Sequence, residues 1–180
     1  MTEISAAALH CRMTDPSFIL TAEFDPDSFA WLDGLRREHF PLERNWLPAH
    51  LTLFHTLTPA QAQRVRTLSR PAEPLVLSFV GVRFLGRGVA IAVEAPGLAR
   101  LRAEIVTALG GAVTRQDAQR WQPHVTIQNK VAPDTARALH EAMAADFTPR
   151  HGAATGLLLW NYLGGPWRLD ARLPFATETS

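Results

Sequence analysis

The stretch WLPAHLTL at 46–53 is answered by WQPHVTI at 121–127. Each runs Trp, Pro, then His-x-Thr and an aliphatic residue, with one Ala inserted in the first copy. The correspondence continues downstream: Pro59 lies nine residues after His50 and Pro133 nine after His124, while Ala62 and Ala136 both lie at twelve. Matched spacing over that length marks an internal repeat, and a repeat sets the architecture before any single residue is interpreted.

Both copies read as strands, HLTLFHTL over 50–57 and HVTIQNK over 124–130. Side chains alternate along a strand, so His50, Thr52 and Phe54 are expected on one face, with Leu51, Leu53 and His55 on the other. The same rule puts His124, Thr126, Gln128 and Lys130 together, opposite Val125 and Ile127. Each strand then has an aliphatic back for a core and a polar front for a cleft. Two such fronts related by a pseudo-twofold would gather two imidazoles and two hydroxyls about one point. Two imidazoles can supply a base and an acid for one in-line displacement. Two hydroxyls can hold the non-bridging oxygens of a phosphate. That chemistry requires no cofactor.

Outward from the motifs, FILTAEFD (18–25) reads as a strand, and 25–40 as a helix with an Asp cap and a Pro in its first turn. Thr58 and Pro59 open a helix over 58–70. Residues 74–95 break at Gly86-Arg87-Gly88 into a hairpin. The second half repeats the order: a helix over 97–111, the 124–130 strand, a helix over 132–147, and a hairpin over 152–175 turning at Gly164-Gly165-Pro166. Each half runs helix, His-x-Thr strand, helix, hairpin. The expected fold is α+β and bilobal, with two pseudo-symmetric lobes, each a mostly antiparallel sheet with flanking helices, in one domain over 1–180.

Composition narrows the function classes. The apolar share of 47% and charged share of 19% belong to an ordinary globular chain. A net charge of +1 gives no global attraction to nucleic acid, so any such binding must come from a local groove. One cysteine, Cys11, excludes an internal disulfide. The start lacks the features of a secretory signal, and no apolar run reaches the length of a membrane span. A cytoplasmic monomer without membrane contact is expected.

The tetrads His50-Leu51-Thr52-Leu53 and His124-Val125-Thr126-Ile127 resemble the two signature motifs of the 2H phosphoesterase superfamily. Within it the chain is similar to the 2'-5' RNA ligase-like, or RNA cyclic phosphodiesterase, branch. The resemblance covers most of the chain through motif separation, element order and length. It implies a bilobal α+β fold with the two His-x-Thr strands lining a central cleft. It also implies metal-free opening of 2',3'-cyclic phosphates, on RNA ends or small cyclic nucleotides, to 2'-phosphomonoesters. Some members join RNA ends through a 2'-5' linkage in reverse. The implied roles are His124 as base, His50 as acid, and Thr52 and Thr126 as the phosphate grip. Many RNA-acting members have Arg five residues after the second His, where this chain has Asn129. Lys130, the only lysine, is the candidate to replace that cation and meet the next phosphate of an RNA. A non-catalytic nucleotide- or RNA-binding module using the same cleft is the alternative.

The remaining candidates are weaker. His55 lies on the face opposite His50, so the two do not readily share a metal, and no Cys cluster or HExxH is present. His10, His39, His140 and His151 have no repeated context. Trp160, Tyr162 and Trp167 gather about the turn of the last hairpin, and alternation puts Trp160 and Tyr162 on one face. Packing is their leading reading, with Tyr162 the candidate for stacking on a base. Trp46 and Trp121 read as packing that fixes the motif strands. Arg83, Arg87, Arg115 and Arg120 could border a groove, although a solvated arginine is the default.

Overall fold

The computed structural model describes residues 17–164 and 166–175. His10, Cys11 and Gly165 of the expected turn lie outside them. Within the described residues the elements are β1 (Ser17–Phe24), α1 (Pro26–His39), β2 (Leu51–Leu57), α2 (Pro59–Thr67), β3 (Leu75–Phe84), β4 (Val89–Glu94), α3 (Pro96–Ala108), β5 (His124–Gln128), α4 (Pro133–Ala145), β6 (Arg150–Tyr162) and β7 (Arg168–Pro174). Their starts follow local chemistry. Asp25 caps α1, accepting from Ser28 N at 2.9 Å, and also accepts from Ala153 N on β6 at 2.7 Å. Thr58 and Gln61 form a reciprocal capping box on α2. Among the described residues, no helix is long and apolar enough to cross a membrane.

All pairings are antiparallel, and the seven strands form one sheet in the order β1-β2-β5-β4-β3-β6-β7, with β6 also pairing β1. The α+β expectation holds. The repeat frame, however, begins one strand earlier than the motif flanks suggest. β1-α1-β2-α2-β3 corresponds to β4-α3-β5-α4-β6, and each unit gives its last strand to the other. β3 pairs β4, while the C-terminal part of β6 pairs β1 and its first residues pair β3. The spatial orders β2-β1-β6 and β5-β4-β3 are therefore equivalent. Leu51 and Val125, the one position at which β2 pairs β5, join the two halves at the motif strands themselves.

Apolar alternation is what holds this arrangement. Leu51, Leu53, Val125 and Ile127 are fully buried, in one core with Leu98, Ile105, Ala62 and Val65 from the helices. Burying a side chain of this kind contributes roughly 1.5–3 kcal/mol. Helix α1 packs on β5, a strand of the other unit, and α4 on β3. The helices thus cover the back of the motif strands and leave the His-x-Thr front open.

Candidate active site

The antiparallel pair Leu51–Val125 puts His50 across from Thr126 and Thr52 across from His124. All four side chains are half-buried and line one cavity of about 440 Å³. The rings are oriented alike. A carbonyl can only accept, so His50 Nδ1–H donates to Pro48 O at 2.8 Å and His124 Nδ1–H to Gln122 O at 2.9 Å. Each His is thereby held by the carbonyl two residues before it, and each Nε2 is left for the cleft. Burial pushes the His50 imidazole down to about 4 against the pull of the Pro48 carbonyl, and the charges of Arg36, His124 and His55 push the same way. His50 is neutral at neutral pH.

Because β2 and β5 pair at a single position, side chains serve carbonyls along this seam. The Trp121 indole donates to Thr52 O at 3.0 Å, and Arg102 Nε to Leu53 O at 3.0 Å. Arg36 on α1, only 4% exposed, donates to Thr126 O at 2.8 Å and, through Nε, to Asn45 Oδ1 and Leu47 O, each at 2.9 Å. Its neighbour Asp33 accepts from Ala49 N at 2.9 Å. Burial lowers the Arg36 guanidinium to about 10, opposed by Asp33, which leaves it charged at neutral pH.

Strict alternation fails beyond the motif threonines, for the same reason in both copies. Thr21 pairs Thr52 and Leu20 pairs Phe54, so one step on β1 answers two on β2, and Leu53 is an extra residue. Ala90 pairs Thr126 and Val89 pairs Gln128, which makes Ile127 the extra residue of β5. A bulge of this kind reverses the facing of the residues after it. Phe54 and Gln128, expected at the front, are buried. His55, expected at the back, lines the cavity. Its Nδ1 lies 2.9 Å from Asp117 Oδ1, and its backbone N–H donates to the same oxygen at 2.9 Å. Burial works to raise the Asp117 carboxyl, but hydrogen bonds from His55 and Thr114 outweigh it and hold the group below the usual carboxylate range.

Lys130 does not reach the cleft. β5 ends at Gln128, and Lys130 lies beyond it, exposed, with φ 63° and its N–H donating to Asn129 Oδ1 at 2.7 Å. The bulge and the strand end together remove the parity that would place it there. Tyr162 ends β6, 39% exposed and outside the cavity lining. The aromatic wall is instead Trp167, its ring 4.8 Å from that of His50 and 6.2 Å from that of Trp160. Trp160 is half-buried and donates to Thr21 Oγ1 at 2.9 Å. Trp121 packs on the core as expected, whereas Trp46 is 68% exposed. Arg83 and Arg120 line the cavity, and Arg87 and Arg115 do not. Sequence reasoning does not reach Asp117 or Arg102, and it names Trp167 only as one of the aromatics about the last turn, with packing as the leading reading. The only local signal for the first bulge is the apolar pair Leu53-Phe54, which interrupts alternation. Among the described residues, no three His, Cys, Asp or Glu side chains gather as a metal site needs.

Solved structures share this fold. TT0787 of Thermus thermophilus superposes with a TM-score of 0.60 at 16% identity, covering 91% of this chain and 100% of that chain. E. coli LigT in its apo form gives 0.58 at 15% identity, over 91% and 100%. E. coli LigT complexed with 3'-AMP gives 0.56 at 16%, over 90% and 99%. No curated protein matches the sequence. The family model of the 2'-5' RNA ligase superfamily matches residues 24–166, a span that contains both His-x-Thr strands and the helices behind them. The chain belongs to the 2'-5' RNA ligase superfamily of phosphoesterases.

Proposed function

We propose that the protein opens 2',3'-cyclic phosphates, at RNA ends or on nucleotides, to 2'-phosphates by acid–base catalysis between His50 and His124. The observation that carries this is the pair of imidazoles, each fixed through Nδ1–H and each offering Nε2 to the same cavity beside a threonine. Water attacks phosphorus while its proton passes to one Nε2. The bond from phosphorus to the ribose 3' oxygen breaks, and the other imidazolium protonates that oxygen. Thr52 and Thr126 donate to the non-bridging oxygens as charge accumulates there. Burial favours His50, neutral at neutral pH, as the base, with His124 as the acid. This exchanges the roles that the family resemblance implies. A 5'-hydroxyl entering in place of water forms a 2'-5' linkage by the same transfers. The LigT complex with 3'-AMP supports a ribose phosphate as the ligand class.

The test is turnover of cyclic mononucleotides and cyclic-phosphate-ended oligonucleotides in the presence of chelator, with the product assigned by phosphorus NMR. A 2'-phosphate is expected. A 3'-phosphate, or no turnover of any cyclic phosphate, would reject the proposal.

A further inference from the structure

The reacting phosphate needs only the four motif side chains, yet the cavity wall carries further basic side chains. His55, Arg83, Arg102 and Arg120 line the same space, in a chain whose net charge is only +1. Arg102 is committed to the Leu53 and Asp117 carbonyls. Neither Arg83 nor Arg120 forms an ion pair among the described residues.

Arg83 is aligned by the sheet. It pairs Ala90, and Ala90 pairs Thr126, so the three side chains stand in one row across β3, β4 and β5. Two strand spacings put the Arg83 backbone about 10 Å from Thr126. The intervening Ala90 is fully buried, and the row aligns Arg83 with the grip on the reacting phosphate.

His55 is aligned by Asp117, whose carboxylate side chain is 1% exposed. Its oxygens are occupied by the His55 and Thr56 N–H groups, the Thr114 hydroxyl and the His55 ring. With Nδ1 of His55 committed there, Nε2 of this side chain, 47% exposed, is the atom left for a ligand. In the imidazolium form Nε2–H donates, and the carboxylate behind it balances the charge.

We infer that His55, oriented by Asp117, forms a second anion subsite for a phosphate other than the one that reacts, so that the preferred substrate carries both a cyclic phosphate and a further phosphate group. This rests on the proposed reading of the cleft and narrows its substrate class. A further phosphate is either the terminal 5'-phosphate of a small nucleotide or the internucleotide phosphate of an RNA end. Lys130, which lies outside the cavity, has no part in it.

The test compares three substrates: a 2',3'-cyclic nucleotide with a 5'-hydroxyl, the same nucleotide with a 5'-phosphate, and a dinucleotide ending in the cyclic phosphate. His55→Gln should lower kcat/KM for the phosphate-bearing substrates by at least about tenfold more than for the 5'-hydroxyl one, mainly through KM, as expected for a lost charge-assisted hydrogen bond. Arg83→Gln, in the row of Thr126, should affect all three substrates alike. Asp117→Asn should reproduce the KM effect in part, as a positioning residue does. A loss confined to the 5'-phosphate substrate assigns the site to a small nucleotide, and one shared by the dinucleotide assigns it to RNA.

Binding is read separately by calorimetry, with adenosine 3',5'-bisphosphate against adenosine 3'-monophosphate. The wild-type protein should prefer the bisphosphate and His55→Gln should lose that preference. A preference without any turnover would keep the subsite and sink the cyclic phosphodiesterase reading. Turnover in which His55→Gln affects all three substrates equally would overturn the subsite and leave that reading intact.

Discussion

Arg36 Nη1 donates to the carbonyl of Thr126 at 2.8 Å, across ninety residues of chain. The same guanidinium holds the segment leading into His50 through Asn45 and Leu47. One buried side chain on α1 therefore fixes the spacing of both motifs, which sequence spacing alone cannot do.

Arg36→Lys is expected to cost about 2–4 kcal/mol of stability, because an ammonium keeps the charge but cannot serve three acceptors in the geometry of a guanidinium. The urea midpoint measures this. An unchanged midpoint would mean that the clamp is dispensable.

His50→Ala and His124→Ala should each lower turnover by about two to four decades with the fold retained, and wild-type activity should persist in EDTA. Near-normal rates in either folded variant would rule out two-histidine catalysis. Inactivation by chelator that a divalent ion restores would move the chemistry to a metal.

For Thr52→Val and Thr126→Val the expected loss is about one to three decades in kcat, the scale of a removed oxyanion donor. The melting temperature should barely move, since both side chains face the cavity and not the core. Unchanged rates in both variants would reduce the threonines to strand formers.

The pH profile tests the assignment of base. With His50 at about 4, kcat/KM should stay high through the mildly acidic range and fall only towards pH 4. If His50 were instead the acid, kcat/KM would decline above about 4. Trp167→Ala admits water to the His50 ring and should move the acid limb up towards 6.5, the ordinary value. Stability follows the same group. Between 6.5 and about 4 the unfolded chain binds a proton that the native site refuses, so stability falls as pH drops through that window. His50→Gln should remove that part of the decline in melting temperature.

The sequence carries the site as far as the threonines and no further. The repeated tetrads, the aliphatic back of each strand and the element order are all legible, because period-two alternation is a local property. The bulges at Leu53 and Ile127 are not local. They arise from pairing with β1 and β4, and they carry His55 into the cleft while Gln128 leaves it. Asp117 and Trp167 arrive from loops whose paths the distant strands decide. Extending alternation beyond the end of β5 is what misplaces Lys130.

The exchange of strands between the two units has a consequence for how the chain folds. Neither half can complete its sheet alone, since Ser17 must meet Tyr162 and β3 must meet β6 before either layer closes. Such non-local pairing slows folding, because the entropy of closing long loops is lost before the distant strands make their contacts. Once formed, the sheet has one line of weakness, where β2 and β5 share the single Leu51–Val125 position. Sub-global opening starts where pairing is sparsest. At that seam the cross-strand connection is carried by the side chains of Arg36, Trp121 and Arg102, so the integrity of the sheet between the two motifs depends on three residues rather than on a backbone ladder.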